Sequence, residues 1–120
     1  MNHGVTMRDI VVKLGCEVMA GSEHLDNPVA FGYSSDLLSD VMAKVGLGDV
    51  WVTVQTHENI IAVGSITGVS GIIIAGGAAP LPPTVRRANE EGIPLLVTVK
   101  PSFEVIGILY HMGIKGRSEK

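Results

Sequence analysis

Most of the groups able to engage a small molecule fall in four short segments of this 120-residue chain: Ser34, Ser35 and Asp36; Gln55, Thr56 and His57; Gly76 and Gly77; and Thr98 with Lys100 just beyond it. Hydroxyls, a primary amide, an imidazole, an ammonium and glycine amides are the means of holding a small polar or phosphorylated ligand. Each segment follows a short apolar run ending at Tyr33, Val54, Ala75 or Val97. Caps and turns use the same residue types in the same places, so the residues alone leave two accounts open. On the plainer one, Ser34 or Ser35 caps a helix and Asp36 complements its dipole, worth about 0.3–1 kcal/mol.

Patterns that carry catalysis do not occur. His57 precedes Glu58 as in a zinc helix, but position 61 is Ile61, and His3, His24 and His111 are scattered without ligand spacing. A metal site is therefore not expected. There is no Gly-x-Ser-x-Gly elbow, no Gly-x-Gly-x-x-Gly after a strand, and no lysine and hydroxyl following a phosphate-binding glycine loop. Pro80, Pro82 and Pro83 also remove three amides from the turn after Gly77. An anion can be accommodated there, but nucleotide hydrolysis is not indicated.

The elements that position these segments follow from local pattern. Residues 72–74 are three isoleucines, too short a run for a helix and β-branched, which suits a central strand covered on both faces. Gly76 and Gly77 turn the chain, Pro82 and Pro83 preset a first helical turn, and Gly92 closes a helix over 82–91. With a strand over 93–98 this makes one right-handed βαβ unit whose loop lies at the carboxyl edge of the sheet, where open α/β folds bind ligands.

Upstream, Thr6 caps a first helix with Asp9 three residues on, and Gly15 ends it. Strands are expected at 16–20 and 29–33, pairing with each other at an antiparallel edge across the turn at 21–27. A helix starts after Ser34 or Ser35 and stops at Gly46; the strand 50–54 places Val50, Val52 and Val54 on one face and Trp51 and Thr53 on the other; Thr56 caps a helix over 60–67. That helix and the last one, beginning at Pro101 or Ser102, are apolar around most of their circumference, more than the stripe needed to cover a sheet. A two-fold dimer through one or both is the expected outlet, with Ile106→Asp or Leu109→Asp shifting the protein toward monomer or insolubility.

Composition narrows the class. A 46% hydrophobic content and mean hydropathy of +0.36 supply one core, and with five aromatic residues that core must be aliphatic. A net charge of −3 offers no basic stripe for nucleic acid. A single cysteine, Cys16, makes no internal disulfide and is compatible with the cytoplasm. Residues 60–85 lack charge over more than the ~20 residues of a spanning helix, but their glycines and prolines divide them, so no membrane segment is expected.

The stretch from Gly71 to Gly113 resembles the second half of a DRTGG domain, a regulatory module found beside CBS pairs and in phosphotransacetylases, and in related form at the N-terminus of HPr kinase. Its name-giving Asp-Arg and Thr-Gly-Gly stand here as Asp26, Asn27 and Ala75, Gly76, Gly77, two of the five being substituted. Supporting similarity lies at 32–40, 52–57 and 92–95, within residues 7–114.

The expected molecule is a single three-layer α/β domain over residues 1–114, with a mainly parallel sheet of four to five strands flanked by helices and a disordered charged tail at 115–120. What the resemblance implies is a non-catalytic regulatory or ligand-sensing module; the wide apolar helices add self-association as a homodimer or larger, and no cofactor is expected. The other reading is an interaction subunit of a kinase or redox enzyme system that takes no small ligand.

Overall fold

A computed structural model describes residues 4–118. The chain runs through α1 (Met7–Leu14), β1 (Glu17–Ala20), a 3-10 turn (Ser22–His24), β2 (Gly32–Ser34), α2 (Leu38–Lys44), β3 (Val50–Thr53), α3 (Asn59–Thr67), β4 (Gly71–Ile74), α4 (Pro82–Glu91), β5 (Leu95–Val97) and α5 (Ser102–His111). They form one five-stranded sheet in the order β1-β5-β4-β3-β2. β2, β3, β4 and β5 are parallel, and β1 is antiparallel to β5. The expected three-layer α/β architecture is what forms.

The layers follow from connection handedness. From β2 to β5 each strand is added on the same side of the last, so right-handed crossovers through α2, α3 and α4 put all three helices on one face. Trp51, Ile72, Ile74 and Leu95 meet Val41, Ile60, Ile61 and Ala88 there. The alternate residues Val50, Val52, Ile73 and Leu96 point to the other face, against Met7, Ile10 and Leu14 of α1 and Val105 and Leu109 of α5.

Local signals placed several boundaries. Thr6 and Asp9 form a reciprocal capping box at α1, which Gly15 terminates in the left-handed region. Prolines open α4 at its expected start, and Gly92 closes it.

Four expectations change. β1 and β2 do not pair with each other; they are opposite edges of the sheet. The chain between them instead ties to the start of α1, with the Met7 amide donating to the Asn27 carbonyl and the Arg8 amide to the Leu25 carbonyl. Second, α3 takes up its excess apolar surface by lying between α2 and α4 in the middle of its layer, leaving Ile66 outward. Third, Leu109 is a core residue, so Leu109→Asp would unfold the protein rather than separate subunits; it is Phe103 and Tyr110 that α5 exposes. Fourth, residues 115–117 of the expected disordered tail run beside β2, because Gly32 exchanges hydrogen bonds with the Lys115 carbonyl and the Arg117 amide. Positions 119 and 120 lie outside the described residues.

Candidate functional site

All four segments singled out in the sequence do lie at the carboxyl edge of the parallel strands. They lie side by side, and at about 4.8 Å per strand the three steps from β5 to β2 separate the outermost by about 14 Å. They form two different local structures.

On the β2–β3 side the polar groups satisfy one another. The Asp36 carboxylate, expected in the first turn of a helix, lies before it and accepts from the Thr53 hydroxyl at 2.7 Å and the Val54 amide at 2.8 Å. The Gln55 side chain donates to the Asp36 carbonyl at 2.8 Å, and the Ser35 hydroxyl accepts from the Leu37 amide at 3.2 Å. Thr53 is buried, so Asp36 supplies the acceptor its hydroxyl needs. Thr56 does not cap α3: its carbonyl receives the Thr84 hydroxyl at 2.7 Å, fixing the start of α4. At the start of α3 the imidazole Nδ1 of His57 accepts from the Asn59 amide at 3.1 Å.

On the β4–β5 side a pocket of about 380 Å³ opens, lined by Gly77, Thr98 and Lys100 from the expected set. Cys16, the loop residues Ala78 and Ala79, and one carboxylate, that of Glu17, are among the other residues on its lining. Gly77 has φ +81°, a conformation that strains any side-chain-bearing residue, although a Cβ there would meet nothing closer than the Val99 Cα at 4.0 Å. Its amide donates to the Thr98 carbonyl, and that of Gly76 to the Lys100 carbonyl, tying the β4 loop to the β5 loop. None of the hydrogen bonds among the described residues uses the amides of Ala78 and Ala79.

Lys100 Nζ donates to the Leu14 carbonyl at 3.3 Å, in the last turn of α1, where the helix dipole favours a cation. The pocket thus brings together an ammonium anchored by one bond, the Glu17 carboxylate and two amides that have no acceptor among the described residues. Burial pushes the Cys16 thiol above its ordinary range, against a smaller pull from Lys100.

Ser34, Gln55, His57, Gly77 and Thr98 therefore do not converge on one cavity. Gly77 and Thr98 share the edge pocket with Lys100, Ser34 lines a separate cavity, and Ser35, Asp36, Gln55, Thr56, His57 and Gly76 serve turns and loops. Cys16 was not legible as a site residue because it reaches the pocket only through the antiparallel pairing of β1 with β5. Nor was the apolar rim of the edge: Leu37, Val54, Val99 and Phe103 all point outward, Val99 85% and Phe103 91% exposed.

The Asp26–Asn27 turn is tied to α1 by an ion pair. Asp26 finds its arginine in α1, with Arg8 Nε at 2.9 Å from its Oδ1, and this pairing holds the Asp26 carboxyl below its usual range. Both side chains are largely exposed, so the pair adds little to stability. Among the described residues no group of three His, Cys, Asp or Glu is placed to hold a metal, and no helix is long and apolar enough to cross a membrane.

The chain is similar, at a TM-score of 0.72 and 16% identity, to the crystal structure of the CBS and DRTGG domains of the regulatory region of Clostridium perfringens pyrophosphatase complexed with its activator, diadenosine tetraphosphate. The likeness covers 91% of this chain and 49% of that one, so the chain spans about half of that structure. At this identity it shows the fold alone, which fits the expected DRTGG-like architecture. No protein-family model and no curated protein matches the chain.

Proposed function

We propose that the domain is a non-catalytic regulatory module that senses a small phosphorylated or carboxylated metabolite at the β4–β5 end of the carboxyl edge. The observation that carries this reading is the joint presence, in one pocket, of the Lys100 ammonium and two loop amides with no acceptor among the described residues. Donors and positive charge on backbone held by Gly77 recognise an anion without a reactive group. The regulatory pyrophosphatase region, which binds a nucleotide activator, supports the same reading by fold.

A thermal-shift screen against nucleotides and phosphorylated metabolites tests it. A ligand specific for the folded state at a hundred times its Kd adds about 2.7 kcal/mol, a rise of several degrees. Lys100→Ala should abolish that rise, and a screen in which no anion moves the transition would overturn the reading.

The exposed Val99 and Phe103 favour a second reading, a surface for another protein, whether a second copy or a partner enzyme. Light scattering separates the two: a particle heavier than 12.6 kDa that Phe103→Asp returns to that mass supports self-association through this rim.

A further inference from the structure

Away from that edge, the face covered by α1 and α5 is incomplete over β2 and β3. A cavity of about 280 Å³ remains there, with Gly32 and Val52 as its floor and Ile106, Leu109 and Tyr110 of α5 as its wall. Its far end is closed by Ile114, itself buried, and by residues 115–117. It shares no residue with the edge pocket.

The strap that closes it is fixed at several points. Gly32 donates to the Lys115 carbonyl at 2.9 Å and accepts from the Arg117 amide at 3.1 Å, while the Gly116 amide donates to the Tyr110 hydroxyl at 3.2 Å. Arg117 makes a bidentate pair with Asp49, Nε to Oδ2 at 2.7 Å and Nη2 to Oδ1 at 2.9 Å, and Asp49 has no exposed surface. The guanidinium lies 4.8 Å over the Phe31 ring and occupies space left by Gly46, where a Cβ would be 2.3 Å from its Cζ. The strap is thus a constructed wall with a defined opening.

The charges at that opening are unequal. Asp49 neutralises Arg117, whereas Lys115 forms no ion pair among the described residues and stands 5.3 Å from the Tyr110 ring centroid. The Ser34 hydroxyl, on the same lining, takes part in none of the hydrogen bonds among the described residues. An apolar cavity of about 150 Å³ takes up benzene, so this one has room for a fused two-ring skeleton. We propose that it binds a compact aromatic carboxylate, with the hydrocarbon between Val52 and α5 and the acid group at the mouth beside Lys115 and Ser34.

The test is NMR titration of the full chain with 1-naphthoate. Saturable shifts are expected at the Gly32 and Gly116 amides and the Ile106, Leu109 and Ile114 methyls. Ile106→Trp, which fills the cavity from its half-buried wall, should weaken binding by at least about tenfold. Lys115→Glu should weaken naphthoate similarly and leave the uncharged analogue 1-naphthalenemethanol unchanged. If Ile106→Trp loses the native spectrum, Ser34→Phe, on an exposed strand residue, fills the same space. Absence of saturable shifts, shifts scattered outside this lining, or undiminished affinity in the folded filled variant would overturn the proposal.

Discussion

The two ends of the carboxyl edge begin with similar residues and end with opposite uses for them. Between β2 and β3, Asp36, Thr53 and Gln55 close on one another and on the backbone, whereas between β4 and β5 the Ala78 and Ala79 amides, which line a pocket with Lys100, enter none of the hydrogen bonds among the described residues. A polar residue after a strand thus carries little functional information until its partner is known. A carboxylate can reach across and complete the buried end of the next strand, but a short glycine loop has no side chain with which to satisfy itself.

Substitutions can break this contrast. The largest effect is expected for Asp36→Ala, which strips an acceptor from the buried Thr53 hydroxyl and the Val54 amide and should cost about 2–3 kcal/mol in urea unfolding. The anion response at the other end should survive; unchanged stability with a lost ligand response would reverse the assignment of the two ends. Gly77→Val comes next, at about 1–2 kcal/mol from backbone strain alone, since the site has room for a side chain. A melting temperature equal to the parent's would show that the turn is unstrained. Lys100→Ala loses one bond to the end of α1, so about 0.5–1 kcal/mol is expected in stability, against loss of anion binding by calorimetry.

The smallest effect is a pH dependence at the start of α2. Asp40 is held below the usual carboxylate range by the Tyr33 hydroxyl, which donates to it at 2.7 Å, and then by Ser35 and Lys44. A lowered native pKa contributes stability above the unfolded value of about 4 and loses it as the pH falls through the folded one. The melting-temperature gap between the parent and Tyr33→Phe should therefore shrink between about pH 5 and pH 3. A gap constant across that window would show that the hydroxyl does not discriminate the ionised form.

What the sequence made legible was set by the range of the interactions. Thr6 with Asp9, and the prolines and Gly92 around α4, act within one helix, and those boundaries were readable. The alternation of Trp51 and Thr53 against Val50 and Val52 assigned the faces of β3, since it needs only the pleat. The antiparallel docking of β1 against β5 depends on a partner far along the chain, and a pattern confined to 16–20 cannot express it. Likewise, Asp36 satisfied every sequence rule for a dipole residue, yet its acceptor role is fixed by residues 17 and 18 positions on. The edge pocket was half legible: Gly77, Thr98 and Lys100 follow their strands, but Cys16 enters from an antiparallel edge and the free amides belong to two alanines that no motif marks.

The Arg117–Asp49 pair also imposes an order in time. Asp49 is made 68 residues before the guanidinium that neutralises it. At about 5–20 residues per second, translation leaves that carboxylate without its partner for roughly 3–14 s. A carboxylate cannot be buried alone without severe cost, so the β2–β3 corner should stay open until Arg117 docks on it. The domain then becomes protease-resistant as a whole only once Arg117 has paired with Asp49.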